Sequence, residues 1–175
     1  MALSDVTTPV RKVLDCCLVF PGLTINAGGA ATFRTTSALT YTIGGLALTR
    51  AALSAQAFTA GHRPQVPVTI GTTTYGTTAL YLVQVNAAGT IVTKQSNIAI
   101  AGVDADGRVG GVPMPAPWDQ RAMLPESDDG FAPIGFLKIT TNNATTFTPG
   151  TTALDATGIT RVDGNLAFNP VNPFQ

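Results

Sequence analysis

The stretch Thr78-Ala-Leu-Tyr-Leu-Val-Gln-Val85 is followed by Asn86-Ala-Ala-Gly89 and then by Thr90-Ile-Val-Thr93. Apart from Gln84, residues 80–85 are β-branched, aromatic or long apolar types, which favours a strand with one well-buried face. A short loop that begins with Asn and closes with Gly at positive φ is typical of a four-residue hairpin connection. Because a lone hairpin is unstable in water, the sequence predicts a central hairpin that further strands must cover.

Strand signals recur on both sides of this hairpin. They predict strands or short extended pieces at residues 31–35, 39–43, 46–49, 56–59, 66–70, 97–101, 132–141, 145–148 and around 159. Gly44-Gly45 predicts a two-residue hairpin turn. A composition rich in Thr and poor in Lys and Glu also disfavours helices. We therefore expect an all-β fold, and the pattern leaves an antiparallel β-sandwich and a β-barrel-like domain both open.

The composition limits the classes of partner. The chain has 175 residues, which favours one domain, and ten basic and ten acidic residues cancel to a net charge of zero. Without a basic stripe to neutralise phosphates, we expect no nucleic-acid partner. Asp15 interrupts the apolar run over residues 13–20, so neither a signal peptide nor a membrane span is expected.

The domain organisation follows from where the strand rhythm starts and stops. We predict an N-terminal arm over residues 1–28, a β domain over 29–165 and a C-terminal arm over 166–175. Within the first arm, a helix that starts near Pro9 and an extended strand over 13–20 are both compatible with the sequence. The apolar arm residues are the candidate partner contacts: Val10, Val13, Leu14, Phe168 and Phe174.

Residues 102–132 break the rhythm of the strands. Their glycines and prolines exclude a central strand or a helix, and they carry the only tryptophan, Trp118. A loop of this length in a compact domain is usually functional, an extension or disordered. Two interpretations of Trp118 stay open. Either it lies at an exposed loop tip and contacts another subunit, or it folds back as a lid on the core.

The residues that could support catalysis or metal binding do not form a recognisable set. His62 is the only histidine, so a His-based triad or zinc site lacks partners. Asp104 and Asp106 resemble the start of a calcium loop but lack its closing glutamate, and carboxylates before glycine commonly form turns. The adjacent Cys16 and Cys17 are expected to be reduced thiols. We therefore expect no catalytic residues, no metal, no cofactor and no enzyme activity.

The arrangement of the strands resembles that of a known class of proteins. The residues that carry the resemblance are Phe33, Thr35 and Thr36, the stretch from Tyr41 to Leu46, Tyr81-Leu-Val-Gln-Val-Asn-Ala-Ala-Gly89, Gly130-Phe-Ala-Pro-Ile-Gly-Phe-Leu-Lys-Ile139 and Phe147-Thr-Pro-Gly-Thr-Thr-Ala-Leu-Asp-Ala-Thr-Gly-Ile159. Over residues 31–162 the chain resembles small β-rich virion proteins of tailed bacteriophages, and most of all capsid decoration, or cement, proteins.

That resemblance implies a structural function and not an enzymatic one. It implies a virion structural protein that is made in the bacterial host cytoplasm, binds the outer surface of the capsid and bridges neighbouring subunits of the major capsid protein. A homo-oligomer, dimer or trimer, on the capsid lattice is expected. The alternative is a tail-fibre or baseplate β module that binds a host receptor, in which case residues 102–132 would form the binding loop.

Overall fold

The structure, a computed structural model, describes residues 15–166. The fold is all-β, with 43% strand, several antiparallel sheets, and neither a helix nor a closed barrel within this range. The strands are β1 (Cys16–Cys17), β2 (Leu23–Ile25), β3 (Phe33–Thr35), β4 (Leu39–Ile43), β5 (Leu46–Arg50), β6 (Val68–Ile70), β7 (Thr73–Tyr75), β8 (Thr77–Asn86), β9 (Ile91–Gln95), β10 (Ala99–Ile100), β11 (Arg108–Val109), β12 (Val112–Pro113), β13 (Phe131–Thr141) and β14 (Ile159–Asn165). The predicted all-β class is confirmed.

The main sheet is built around β8. Its order is β10-β8-β13-β14, and β9 pairs with β8 as the returning strand of the predicted central hairpin. The connection has the expected geometry: the Asn86 amide donates to the Thr90 carbonyl over 3.1 Å, and Gly89 has φ 79°. The Gly89 amide also donates to the Asn86 carbonyl over 2.9 Å. Residues 97–101 supply β10, which pairs with the start of β8.

A second sheet has the order β1-β4-β5. Its hairpin turns through Gly44 and Gly45 at φ 57° and 83°, values that the two-residue hairpin requires and that glycine adopts without strain. The Asp15 carboxylate accepts a hydrogen bond from the Gly44 amide over 2.5 Å. β1 and β4 lie against β13, so the two sheets form packed layers.

The core lies between these layers. It is built from inward-facing residues of the strands together with leucine and phenylalanine residues of the connecting segments: Cys17, Leu23, Phe33, Leu39, Tyr41, Leu53, Phe58, Ala79, Tyr81, Val83, Val85, Ala132, Ile134, Leu137, Ile139, Phe147 and Leu154. Every second residue of β8 from Ala79 to Val85 belongs to it, as expected for a strand with period two.

The N-terminal boundary of the domain differs from the one predicted. β1 pairs with β4 and β2 pairs with β3, and both Cys17 and Leu23 are buried. Residues 15–28 are therefore part of the sheets and the core, and an arm cannot extend to residue 28. β1 lies within residues 13–20, for which the sequence left an extended strand open. The sequence did not indicate that these residues belong to the domain, because the two pieces of strand are only two and three residues long, too short to produce a period-two pattern.

The strand predicted at residues 145–148 as the partner of β13 is absent there. The Asn142 side chain accepts hydrogen bonds from the amides of Ala144 and Thr145, and this turn directs the chain away from β13. Phe147 instead forms an isolated bridge with Gln65. β14 takes the place beside β13 over seven residue pairs.

Candidate functional site

Among residues 15–166, the outward-facing side of the three-stranded sheet carries no charged residue. We call it the outer face, and its residues in register across the strands are Cys16, Leu18, Thr40, Thr42, Ala47 and Thr49. Leu18, Ala47 and Thr49 are exposed, and the other three are half-buried. Protein interfaces are depleted of charge at their centres, so an exposed sheet face of small, uncharged side chains suits contact with another protein.

Three consecutive apolar residues extend this uncharged surface. Leu18, Val19 and Phe20 are 37%, 41% and 69% exposed. The backbone there is held in place, because the Leu18 amide donates to the Thr40 carbonyl over 2.7 Å and the Cys17 thiol donates to the Val19 carbonyl over 3.1 Å. Burial raises the pKa of the Cys17 thiol, which keeps it protonated and able to donate.

A groove lies beside β5, between the β4–β5 hairpin and the turn that joins β8 to β9. Its volume is about 550 Å³. The lining residues include Tyr41, Leu48, Arg50, Gly89 and Ile91. Gly89 lies next to Arg50, and an added Cβ at Gly89 would be in ordinary van der Waals contact with the Arg50 Cδ at 3.6 Å. No carboxylate lines the groove, so Arg50 gives it a positive charge.

The 102–132 segment covers the other side of the main sheet. Leu82 and Gln84 point away from the core, yet both are fully buried. The Gln84 amide donates to the Asp128 carboxylate over 2.5 Å, and the Asp128 amide donates back to the Gln84 Oε1 over 2.9 Å. The Asn97 side chain bonds the backbone at Arg121 and Met123. The segment is therefore a hydrogen-bonded layer, and it includes the short β11–β12 hairpin that the sequence did not indicate.

Trp118 lies within this layer. It is half-buried and is not a member of the core cluster, and its amide donates to the Pro115 carbonyl over 2.8 Å. Trp118 is therefore not a lid on the core. Its contact with a partner stays a prediction. Met123, in the same segment, is 73% exposed.

Replacing Gln84 with leucine is expected to loosen the 102–132 layer. The change keeps the bulk but removes both hydrogen bonds between Gln84 and the half-buried Asp128, which is expected to cost about 1–3 kcal/mol of unfolding free energy. Urea denaturation measures the loss, and trypsin cleavage after Arg121 should become faster. The control is Lys94→Met, which breaks only the half-exposed Lys94–Asp128 ion pair of 2.7 Å and should cost about 1 kcal/mol or less. Equal cleavage rates in both variants would show that Gln84 does not hold the layer.

His62 lies at the rim of an aromatic cluster. Its Nε2 is 2.8 Å from the Thr93 Oγ1, and its ring stacks edge-on against Phe58 and Tyr81 at centroid distances of 6.4 and 5.6 Å. Desolvation lowers the pKa of His62 below 6.5, against an opposing hydrogen bond with the Thr93 backbone. The neutral ring is therefore the form that the fold stabilises.

This lowered pKa predicts how stability depends on pH. The unfolded chain binds the His62 proton more readily than the folded chain, so the contribution of the neutral ring is present above pH 6.5 and is lost as the pH falls below it. We expect the wild type to lose more unfolding free energy than His62→Gln between about pH 7.5 and about pH 5.5. Urea titrations at several pH values measure this, and parallel curves for the two proteins would contradict it.

The acidic turn at Asp104 has a structural role. Its Oδ1 accepts hydrogen bonds from the amides of Asp106 and Arg108 at 3.0 and 2.8 Å, as expected for a carboxylate that closes a turn. Between residues 15 and 166 no group of three or more His, Cys, Asp or Glu side chains is placed to hold a metal ion. Cys16 and Cys17 are free thiols.

The predicted arm contacts fall outside the described part of the chain. This applies to Val10, Val13, Leu14, Phe168 and Phe174. The sequence did not indicate the outer face or the groove, because neither can be recognised from the type of any single residue. The alternation of residue types in 39–43 and 46–49 indicated that these strands have two different faces. It did not show which of the two faces another layer of the protein would cover.

Comparison of the chain with protein-family models, curated proteins and solved structures gave no match. Within residues 15–166 there is also no helix long and apolar enough to cross a membrane.

Proposed function

We propose that this chain is a non-enzymatic virion structural protein of a tailed bacteriophage that binds the outer surface of the capsid and stabilises contacts between major capsid subunits. The observation that supports this most is the uncharged outer face, continued by the exposed residues Leu18, Val19 and Phe20. An uncharged, partly apolar surface of this kind is suited to contact with another protein. The resemblance of the strand pattern to decoration proteins supplies the partner, the major capsid protein.

Stabilisation of the capsid requires only additional contact area across the interface between two capsid subunits. A standard protein interface buries about 1,600 Å² in total, and repetition of weak contacts over a symmetric lattice raises the effective affinity. A rigid sheet face meets this demand without moving parts, since its backbone is already ordered before binding. Binding as a dimer or trimer would multiply the number of contacts for each particle.

The terminal segments are the second part of the proposal. A deletion of residues 1–20 would also remove β1 and the buried Cys17, and it would therefore damage the domain itself. The informative truncations are residues 1–14 and 167–175, which leave every described strand intact. Each is expected to weaken capsid attachment, because the apolar arm residues are candidate contacts with adjacent subunits.

The second candidate function is a tail-fibre or baseplate module that binds a host receptor. The exposed pair Met123 and Leu124, in the same segment as the half-buried Trp118, favours it, because apolar residues on a surface segment can form a binding site. In that case the 102–132 layer, and not the outer face, would carry the contact.

One experiment separates the two functions. The purified protein is mixed with expanded capsids that lack it, the capsids are pelleted, and bound copies are counted against capsid subunits. We expect saturable binding at a fixed ratio and a higher melting temperature of the shell. Leu18→Asp should weaken binding by about tenfold or more, since a charge would be buried at the contact, and the matched control Met123→Asp should not.

The opposite outcomes are equally informative. Absence of capsid binding by a folded wild-type protein would refute the decoration function. If the protein instead adhered to host cells, and Met123→Asp abolished this adhesion, the receptor-binding function would replace it.

A further inference from the structure

The free edge of β5 is a row of backbone groups ready to pair. β5 bonds to β4 on one side, and no strand of the described range pairs on its other side. In a two-residue hairpin the flanking residues, Ile43 and Leu46, form a hydrogen-bonded pair, so Ala47 and Thr49 direct their N–H and C=O groups away from β4. No Pro or β-bulge lies within residues 46–50, and no strand of residues 15–166 covers this edge.

The side chains along the same strand border a groove. Leu46, Leu48 and Arg50 lie on the side of β5 that faces the core, in register with Ile43, Tyr41 and Leu39. Leu46 is nevertheless 65% exposed, because the main sheet does not cover this end of the strand. Between β5 and the turn after β8 lies the groove of about 550 Å³, whose lining combines the apolar Leu48 and Ile91 with the polar residues Thr49, Gln56 and Thr90. A strand added to β5 would therefore place every second side chain in this groove.

Arg50 determines the chemistry of the groove. It is half-buried, it is the single charged residue of the lining, and its guanidinium makes no hydrogen bond or ion pair with the part of the chain that the structure describes. A guanidinium is usually paired when it is partly withdrawn from water, and a carboxylate is its best partner. The groove is complementary to an acidic side chain that lies among apolar ones.

The edge of the main sheet at β14 is built differently from the edge at β5. Arg161 and Asp163 form an ion pair of 2.7 Å, and they lie on the core-facing side of β14, in register with the buried residues Ile139 and Leu137. Inward-pointing charges are a known protection of an edge strand against the addition of further strands. β5 lacks such protection, so the two edges are not equivalent.

We propose that the edge of β5 binds an extended segment of a partner protein as an additional strand, with alternate apolar side chains in the groove and a carboxylate beside Arg50. This inference rests on the proposed function as a docking protein and adds to it the place and the chemistry of one contact. Main-chain hydrogen bonds to Ala47 and Thr49 would supply affinity, and the groove would supply selectivity.

The probe is a displayed library of random peptides of about eight residues, a common strand length. It is selected in parallel against the wild type and against Arg50→Glu. We expect the wild type to enrich alternating apolar residues with Asp or Glu at one fixed position, and Arg50→Glu to enrich Lys or Arg at that position. Identical sequences from both selections, or no enrichment by the wild type, would overturn the proposal.

The variants then locate the peptide on the molecule. The peptide most enriched by the wild type should bind about tenfold more weakly to Thr49→Pro, which removes an outward N–H, and to Arg50→Glu. Arg34→Glu reverses the charge of an exposed arginine on β3, outside the groove, and should leave affinity unchanged. If Thr49→Pro does not fold, Arg50→Glu with the charge-swapped peptide carries the test. Equal weakening by Arg34→Glu would show a nonspecific charge effect and refute the site.

Capsid pelleting distinguishes this inference from the function on which it rests. Capsid binding by the wild type that is unchanged in Thr49→Pro and Arg50→Glu would refute the β5 contact and keep the decoration function. Peptide binding at β5 without any capsid binding would refute the decoration function and keep β5 as a strand-binding edge for another partner.

Discussion

Replacing Gly76 with alanine is expected to be the most damaging small change in this protein. Gly76 lies between β7 and β8, where an added Cβ would be 2.0 Å from the carbonyl oxygen of Thr141 and 2.9 Å from the carbonyl carbon of Asn142. These are backbone atoms at the end of β13, so no side-chain rotation relieves the contact. We expect a loss of roughly 3 kcal/mol or more in unfolding free energy, at or above the usual upper range for overpacking.

Urea denaturation against a matched glycine measures this effect. Gly28→Ala makes the same chemical change where the nearest atom, a carboxylate oxygen of Asp155, would be 3.8 Å away. We expect that variant to be neutral or slightly stabilising, because alanine restricts the unfolded chain. Similar unfolding midpoints for the two variants would mean that the β7–β8 junction is not packed as described.

Tyr81→Ala is expected to have the largest effect among the core residues. Tyr81 is fully buried, and its ring packs edge-on against Phe58 and Phe147 at centroid distances of 5.0 and 6.1 Å. Its hydroxyl accepts hydrogen bonds from the side-chain amides of Gln65 and Gln95 at 2.9 and 3.1 Å. Truncation leaves a large cavity and two amides without their acceptor, for a loss of about 3–5 kcal/mol, a substantial share of the stability of a small domain.

Tyr81→Phe separates the ring from the hydroxyl. It keeps the packing and removes the acceptor, so a loss of about 1–3 kcal/mol is expected. Burial raises the pKa of Tyr81 to about 12, so the hydroxyl stays protonated in ordinary buffers and the difference between the two variants should not change between neutral and mildly basic pH. If Tyr81→Phe were as damaging as Tyr81→Ala, the amide contacts and not the aromatic packing would dominate this part of the core.

Turns and strands were predictable from the sequence at positions where the backbone conformation requires a particular residue type. Gly44-Gly45 and Gly89 have the positive φ values that their turns demand, and β4 has the bounds that its alternation predicts. Such features depend on neighbours in the chain, so a window of a few residues contains the necessary information.

The pairing of distant segments was not predictable in the same way. β14, and not residues 145–148, pairs with β13. This pairing depends on the turn at Asn142 and on contacts between residues that lie far apart in sequence. Likewise, the buried Gln84 looked like the one polar exception in an apolar strand. Only its two hydrogen bonds with Asp128 show why a glutamine suits that position.

The candidate contact surfaces depend on the assembled layers. Composition indicated a protein with little charge, and this agrees with the uncharged outer face. The packed sheets decide which side of β5 is covered and that Arg50 lies in a groove without a carboxylate. No periodicity in residues 46–50 distinguishes the edge at β5 from the protected one at β14.

The all-β class, the central hairpin and the tight glycine turns were predictable from local sequence, because they follow from backbone preferences of single residues and from short-range alternation. Three other features depend on how the sheets pack: residues 15–28 belong to the domain, residues 102–132 form a layer over β8, and a groove with Arg50 opens beside β5. Burial and edge exposure are set by what packs across a strand, and the chain supplies those neighbours from positions far away in sequence.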